Sequence, residues 1–269
     1  MGERRGWSLA LLGVALVSRA AASAVAAASV VPAGSIATVA SAAPAARSEP
    51  VAVVELFSSE GCSSCPPAEQ LLGELAAAAK QSGRRILTLE FHVDYWNHLG
   101  YVDPFSAPAY SKRQQQYARA LGASGLYTPQ MIVNGTDEFV GSDRARATNA
   151  LDAALARPAT LRVTLRTAPL ASGTRVSYQI SAAPSGAQVH VALVESGLVS
   201  HVRGGENDGR TLAHTSVVRQ FVTMPIAGRD AGSVDLKTGV SSGKTEKDAV
   251  VFVQDSRTMA ILGAATARL

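Results

Sequence analysis

The sequence predicts an α/β domain followed by an all-β domain, and three observations carry that expectation. Strand-like and helix-like patterns alternate from about residue 50 to residue 158, and beyond that point only short strand-like stretches recur. The chain's only two cysteines stand as Cys62-Ser63-Ser64-Cys65, where the first strand pattern gives way to the first helix pattern. Late in the first region an Asn134-Gly135 pair between two short runs marks a hairpin.

The 269 residues are 47% hydrophobic and 17% charged, which is enough apolar material to bury a core and too little charge for a disordered chain. Residues 1–48 differ from the rest. They open with Arg4-Arg5, continue with an apolar run from Trp7 to Val17, and pass into small residues with A-x-A exits at Ala22, Ala24 and Ala42. That is the pattern of a secretory signal peptide and small-residue leader. Arg19 interrupts the apolar run, which is too short to span a bilayer. The expectation is therefore a periplasmic or secreted protein with no stable membrane span after processing. Without the leader the formal charge falls from +4 to +1, with 21 Lys and Arg against 20 Asp and Glu. No basic cluster with interleaved aromatics occurs, so no nucleic-acid partner is expected.

In chain order, residues 51–57 read as a buried strand. A helix follows from Pro66, with Leu71, Leu72, Leu75, Ala76 and Ala79 at helical spacing, and ends near Gly83. Residues 86–93 are a second strand and residues 94–104 a polar, aromatic loop. Pro108 opens a second helix carrying Tyr110, Tyr117 and Leu121 on one face, and Gly122 and Gly125 close it. Tyr127-Thr128-Pro129-Gln130 leads into the strand Met131-Ile132-Val133, and residues 138–140 return after the Asn134-Gly135 turn. Ser142 or Asp143 caps a last helix to about Ala156. From residue 159, strand-like stretches at 161–165, 176–180, 189–194, 217–223 and 250–254, separated by turn residues, predict a small antiparallel sandwich.

This order of elements, with CxxC after the first strand and Thr-Pro before the third, resembles the thioredoxin fold. The strings ELFSSEGCSSCPPAE, FHVDYWNHLGYVDPF, YTPQMIVNG and GGENDGRTLAH are similar to an exported bacterial thioredoxin-like family of unknown function, over roughly residues 50–265. The resemblance implies an α/β thioredoxin-like domain at 49–158, followed by a small antiparallel β-sandwich-like domain at 159–269. It also implies that Pro129 is a cis proline facing the cysteine pair.

The chemistry expected of the chain centres on the CxxC. In an oxidising compartment the two cysteines should pair, but a four-residue loop contributes only ~2 kcal/mol as a staple, against ~4.7 for a loop of 100 residues. An exchangeable disulfide is the better expectation. Cys62, at the helix N-terminus, is the candidate nucleophile, Cys65 the resolving residue, and Pro129 the residue that orients substrate. Thr128, Tyr95, Trp96 and Tyr127 are candidates for the substrate groove. The expected function is thiol–disulfide exchange with protein or small-molecule thiols, together with a partner reductase or oxidase, and no cofactor is called for. Two alternatives stay open: a non-catalytic binding module, and a copper metallochaperone using Cys62, Cys65 and His92. The acid found six residues before the first cysteine in many thioredoxins is Leu56 here, and Glu55 should face the other way. Glu60 could move protons or sit on the surface. Gly204 to Arg210 is either a sandwich loop, with Glu206 paired to Arg210 or Arg219, or a loop over the cysteine pair. His190 and His201 read as structural.

Overall fold

Two strands without an exposed face begin the fold. β1 (Ala52–Ser58) and β2 (Ile86–His92) run parallel and are buried at every position, as strands covered on both sides must be. The structure is a computed structural model describing residues 48–239 and 245–269; the expected signal peptide and nearly all of the leader lie outside the described residues. Between β1 and β2 runs α1 (Pro66–Ser82). Pro66 and Pro67 occupy its first turn, and Gly83 closes it at φ 69° with its N–H on the Ala79 carbonyl. α2 (Pro108–Leu121) is closed in the same way by Gly122. β3 (Gln130–Val133) pairs antiparallel with β1 and turns into β4 (Asp137–Val140) through Asn134 and Gly135, both at positive φ. These two are the central residues of a tight turn closed by the Thr136 N–H on the Val133 carbonyl, and a turn of matching twist needs those conformations. The Asp143 carboxylate caps α3 (Arg144–Leu155) by accepting the Arg146 N–H at 3.0 Å.

The rest is strand: β5 (Val163–Leu170), β6 (Gly173–Ile180), β7 (Ala187–Ser196), β8 (Leu198–His201), β9 (Thr211–His214), β10 (Val217–Pro225), β11 (Ala231–Leu236), β12 (Glu246–Asp255) and β13 (Ile261–Arg268). Their pairing overturns the expected fold class. The chain is not an α/β thioredoxin-like domain followed by a small β-sandwich; it is mostly β, and its main sheet has eight strands in the order β13-β12-β7-β10-β2-β1-β3-β4. β10 lies parallel to β2, with Val217 opposite Glu90 and the Glu90 N–H on the Ser216 carbonyl at 2.8 Å. Strands from both sides of residue 158 thus share one sheet. A second sheet, β11-β6-β5, and the separate β8–β9 hairpin complete the strands. Periodicity reports which faces a strand buries. It does not report which strand lies beside it, and that is where the expectation failed.

The core explains why the sheet stays whole. On one face Val53, Phe57, Leu89 and Phe91 form a single cluster with Ala192, Val194, Val218, Val250 and Phe252, under Tyr110 and Tyr117 of α2. The Phe91 and Phe221 rings meet edge to face at 5.2 Å, across the β2–β10 boundary. On the other face, Val54, Leu56 and Met131 pack on α1 and α3, while Val189, Val191, Leu193, Val251 and Val253 pack on Val163, Val176 and Ile180 of the second sheet. The alternation of Val191 and Leu193 with Ala192 and Val194 between these clusters is the period-two signature of a strand buried on both faces. No helix among the described residues is long and apolar enough to cross a membrane.

Candidate functional site

The turn after β1 brings the two cysteines to the start of α1. Cys62 and Cys65 form a disulfide with Cα atoms 5.5 Å apart, and Cys65 is the residue that precedes the first helical turn. Both cysteines are fully buried, whereas Ser63 and Ser64 between them are exposed. The Thr128–Pro129 bond is cis. The Thr128 hydroxyl donates to Cys62 Sγ at 3.3 Å and accepts from Trp96 Nε1 at 2.8 Å. Ser64 Oγ lies 3.3 Å from the same sulfur. Of the residues expected around the cysteine pair, Thr128 touches Cys62 directly, Trp96 is linked to it through Thr128, and Pro129 follows Thr128 across the cis bond. Tyr95 and Tyr127 stand one step back: Tyr95 donates to Gln114 Oε1, and Tyr127 to Glu138 Oε2.

The Gly204–Arg210 segment lies over the cysteine pair. Asn207, fully buried, donates through Nδ2 to the carbonyls of both Glu60 and Cys62, each at 2.9 Å. Glu206 accepts from the Ser63 N–H at 2.9 Å and its hydroxyl at 2.7 Å, so it pairs with neither Arg210 nor Arg219. Arg210 instead donates to Asn207 Oδ1, and Arg219 faces Glu195. Gly205 sits at φ 70°, and a β-carbon there would come within 3.2 Å of the Gly61 Cα. A glycine is needed for both reasons.

Behind the disulfide lies a buried polar cluster. Thr88, Glu90 and His92 share the face of β2 turned away from the aromatic core. α1 adds Glu69, which accepts from Ser58 at 2.5 Å. The β8–β9 hairpin adds Ser200 and His214, and the loop after β2 adds Asp103. Glu60 accepts from His214 Nε2 at 3.0 Å, from Tyr101 at 2.6 Å and from Ser200. Burial opposes ionisation of Glu60, yet the hydrogen bonds from His214, Ser200 and Tyr101 hold its carboxyl below the usual range. Glu69 is pushed up to about 7 by burial and by the charge of Glu90. Burial disfavours the charged form of Asp103, but the neighbouring His92 outweighs it and lowers the carboxyl. His92 therefore faces this cluster and Asp103, whereas Asp94 accepts from Ser111 elsewhere. Sequence reasoning singled out Glu60 and His92 one at a time and missed Glu69, Glu90, Asp103 and Ser200. The readable signal was the polar alternation Thr88, Glu90, His92 inside an otherwise apolar strand.

A family model described as "Protein of unknown function (DUF1223)" matches residues 53–254. The chain belongs to this family. The DUF1223 match takes in the cysteine pair, Thr128-Pro129 and the β8–β9 hairpin alike. Among solved structures, protein AGR_C_4864 from Agrobacterium tumefaciens is similar at 31% identity and a TM-score of 0.63, covering 81% of this chain and 94% of that one. HBP35 of Porphyromonas gingivalis is similar in fold, with a TM-score of 0.58 at 17% identity, covering 82% of this chain and 76% of that one. No curated protein matches this DUF1223 member.

Proposed function

We propose that the chain is an exported thiol–disulfide exchange protein with the Cys62–Cys65 bond as its reactive group. The observation that carries this reading is the hydroxyl environment of Cys62 Sγ, where Thr128 donates a hydrogen bond and Ser64 lies at the same distance, beside the N-terminus of α1. Donors and a helix N-terminus both favour a thiolate. In the exchange an incoming thiolate attacks Cys62 Sγ and forms a mixed disulfide, and the Cys65 sulfur leaves with the bonding electrons and takes up a proton. A second substrate thiolate then releases Cys62, so two substrate thiols become one disulfide and the protein gains two thiols. The reverse sequence, with Cys62 attacking and Cys65 resolving, reduces a substrate disulfide.

Since both cysteines are buried, attack requires the Gly204–Asn207 segment or the exposed Ser63-Ser64 pair to move aside. That same burial favours a second reading, a binding module in which the segment seals an inert disulfide. Nothing in the geometry favours the Cys62, Cys65 and His92 copper set, because His92 Nδ1 is bound to Asp103 and Nε2 faces Glu90. A trapping experiment separates the two readings. Cys65→Ser should accumulate a mixed disulfide through Cys62 in cells, and Cys62→Ser should not. A wild-type disulfide inert to glutathione, with no adduct on Cys65→Ser, would leave the binding module standing.

A further inference from the structure

The cluster behind the disulfide contains buried polar atoms without a well-directed hydrogen bond. Glu90, His92 and His214 have fully buried side chains, and Glu90 Oε1 lies 3.2 Å from His92 Nε2 and 3.8 Å from His214 Nδ1. One donor atom from each of the three lies within 4.8 Å of the other two, the only such group of His, Cys, Asp or Glu among the described residues. Both Glu90 oxygens, His92 Nε2 and His214 Nδ1 make no well-directed hydrogen bond, although His92 Nε2 and Glu90 Oε1 are within ion-pair distance. Leaving even one buried polar group unpaired costs about 1–3 kcal/mol, and one such atom from each of three residues, gathered within 4.8 Å, calls for a shared occupant. An N–H on His214 Nδ1 would find its nearest carboxylate oxygens, on Glu90 and Glu69, at 3.8 and 3.9 Å. Those distances are too long for hydrogen bonds.

The outer nitrogens are held in the opposite manner. His92 Nδ1 is 2.7 Å from Asp103 Oδ2, and His214 Nε2 is 3.0 Å from Glu60 Oε1. A carboxylate on the far nitrogen of each imidazole fixes the tautomer and turns the near nitrogen's lone pair inward, which is how metal-binding histidines are oriented. Zinc bonds of about 2.0–2.1 Å in a tetrahedron set neighbouring donors roughly 3.3–3.4 Å apart, and the 3.2 and 3.8 Å separations bracket that spacing.

We propose that Glu90, His92 and His214 form a buried site for a divalent first-row transition ion. Zinc is the ion suited to two imidazoles and a carboxylate, Glu69 borders the site with one oxygen 3.9 Å from His214 Nδ1, and Asp103 and Glu60 are positioning residues. The site is distinct from the cysteine pair and does not depend on its chemistry. The main sheet creates it: β2 supplies two ligands, and the approach to β10 brings the third.

The test uses the full chain, stripped with a chelator and titrated with Co²⁺ and then Zn²⁺. One Co²⁺ per chain should bind with the visible absorption of a tetrahedral N/O site, and Zn²⁺ should displace it. His92→Ala and His214→Ala should each weaken binding at least about 100-fold. Asp103→Asn, which keeps its shape and is the safer variant if the histidine variants do not fold, should weaken it about 10–100-fold. Cys62→Ser/Cys65→Ser should bind unchanged. Absence of saturable Zn²⁺ or Co²⁺ binding to the wild type overturns the proposal. So does binding that survives both the histidine and Asp103 variants, or binding lost with the cysteines.

Discussion

Two clusters of buried charge lie on opposite faces of β1 and β2, and they differ in how completely they close. On the α2 side, Arg113 donates through Nε and Nη2 to both oxygens of Glu55, and through Nη2 also to Tyr117 and Gln254. The rings of Phe221, Tyr117, Phe252 and Phe91 surround its guanidinium, with centroids 4.8–5.6 Å away. Among the described residues no buried side-chain polar atom of that cluster lacks a partner. On the α1 side, four buried polar atoms of Glu90, His92 and His214 do. The ionic side chains of both clusters are buried, so burial does not separate them. A closed network holds strands together, whereas an open one points at something to be bound.

The comparison breaks most visibly at Arg113. Arg113→Met leaves the Glu55 carboxylate buried without its partner and should cost about 3–5 kcal/mol by chemical denaturation. The double variant Glu55→Leu/Arg113→Met should recover most of that loss. A single variant as stable as wild type would show that the network does not hold the strands together. A smaller effect is expected at the segment over the disulfide. Asn207→Ala strands the Glu60 and Cys62 carbonyls, costs about 1–3 kcal/mol, and should speed reduction of the disulfide by dithiothreitol. An unchanged reduction rate would mean that the segment does not control access.

His190 sharpens the contrast from between the two cases. Its Nδ1 is held to Thr223, its Nε2 has no partner, and Phe221 and Phe252 pack on its ring. Burial and the nearby charge of Arg113 push this histidine well below its usual range. A folded-state value below the unfolded one gives stability that is present above pH 6.5 and lost as the pH falls. The loss is at most about 1.4 kcal/mol per pH unit. His190→Leu should flatten the fall in stability between pH 6.5 and 5 relative to wild type. Melting curves that stay parallel across that range would contradict a neutral, isolated ring.

How much of this was legible in the sequence depends on distance along the chain. Pro66, Gly83, Pro108, Asn134-Gly135 and Asp143 act within a few residues, and each marks an element boundary in the structure where the sequence reading placed one. Cys62 and Cys65 are joined by one turn, so their pairing was equally plain. β8, β9, β11 and β13 were missed because they are short, or because small and charged residues blur their alternation. The expected fold class failed where Val217 meets Glu90 and strands from the two regions join one sheet. The residues around His92 were illegible as a group: Glu60, Asp103, Ser200 and His214 come from four separate stretches, and no spacing rule links them.

The β2–β10 junction is a short seam, where the single residue pair Val217 and Glu90 faces across the strands and the Glu90 N–H bonds the Ser216 carbonyl. Glu90 and His92 lie on one side of it, and His214 lies two residues before Ser216 on the other. The chain therefore cannot present its histidines together until regions more than a hundred residues apart have met. A piece ending near residue 158 would keep the disulfide and lose the cluster. The cluster thus doubles as an assembly check, complete only in a chain whose two halves have joined.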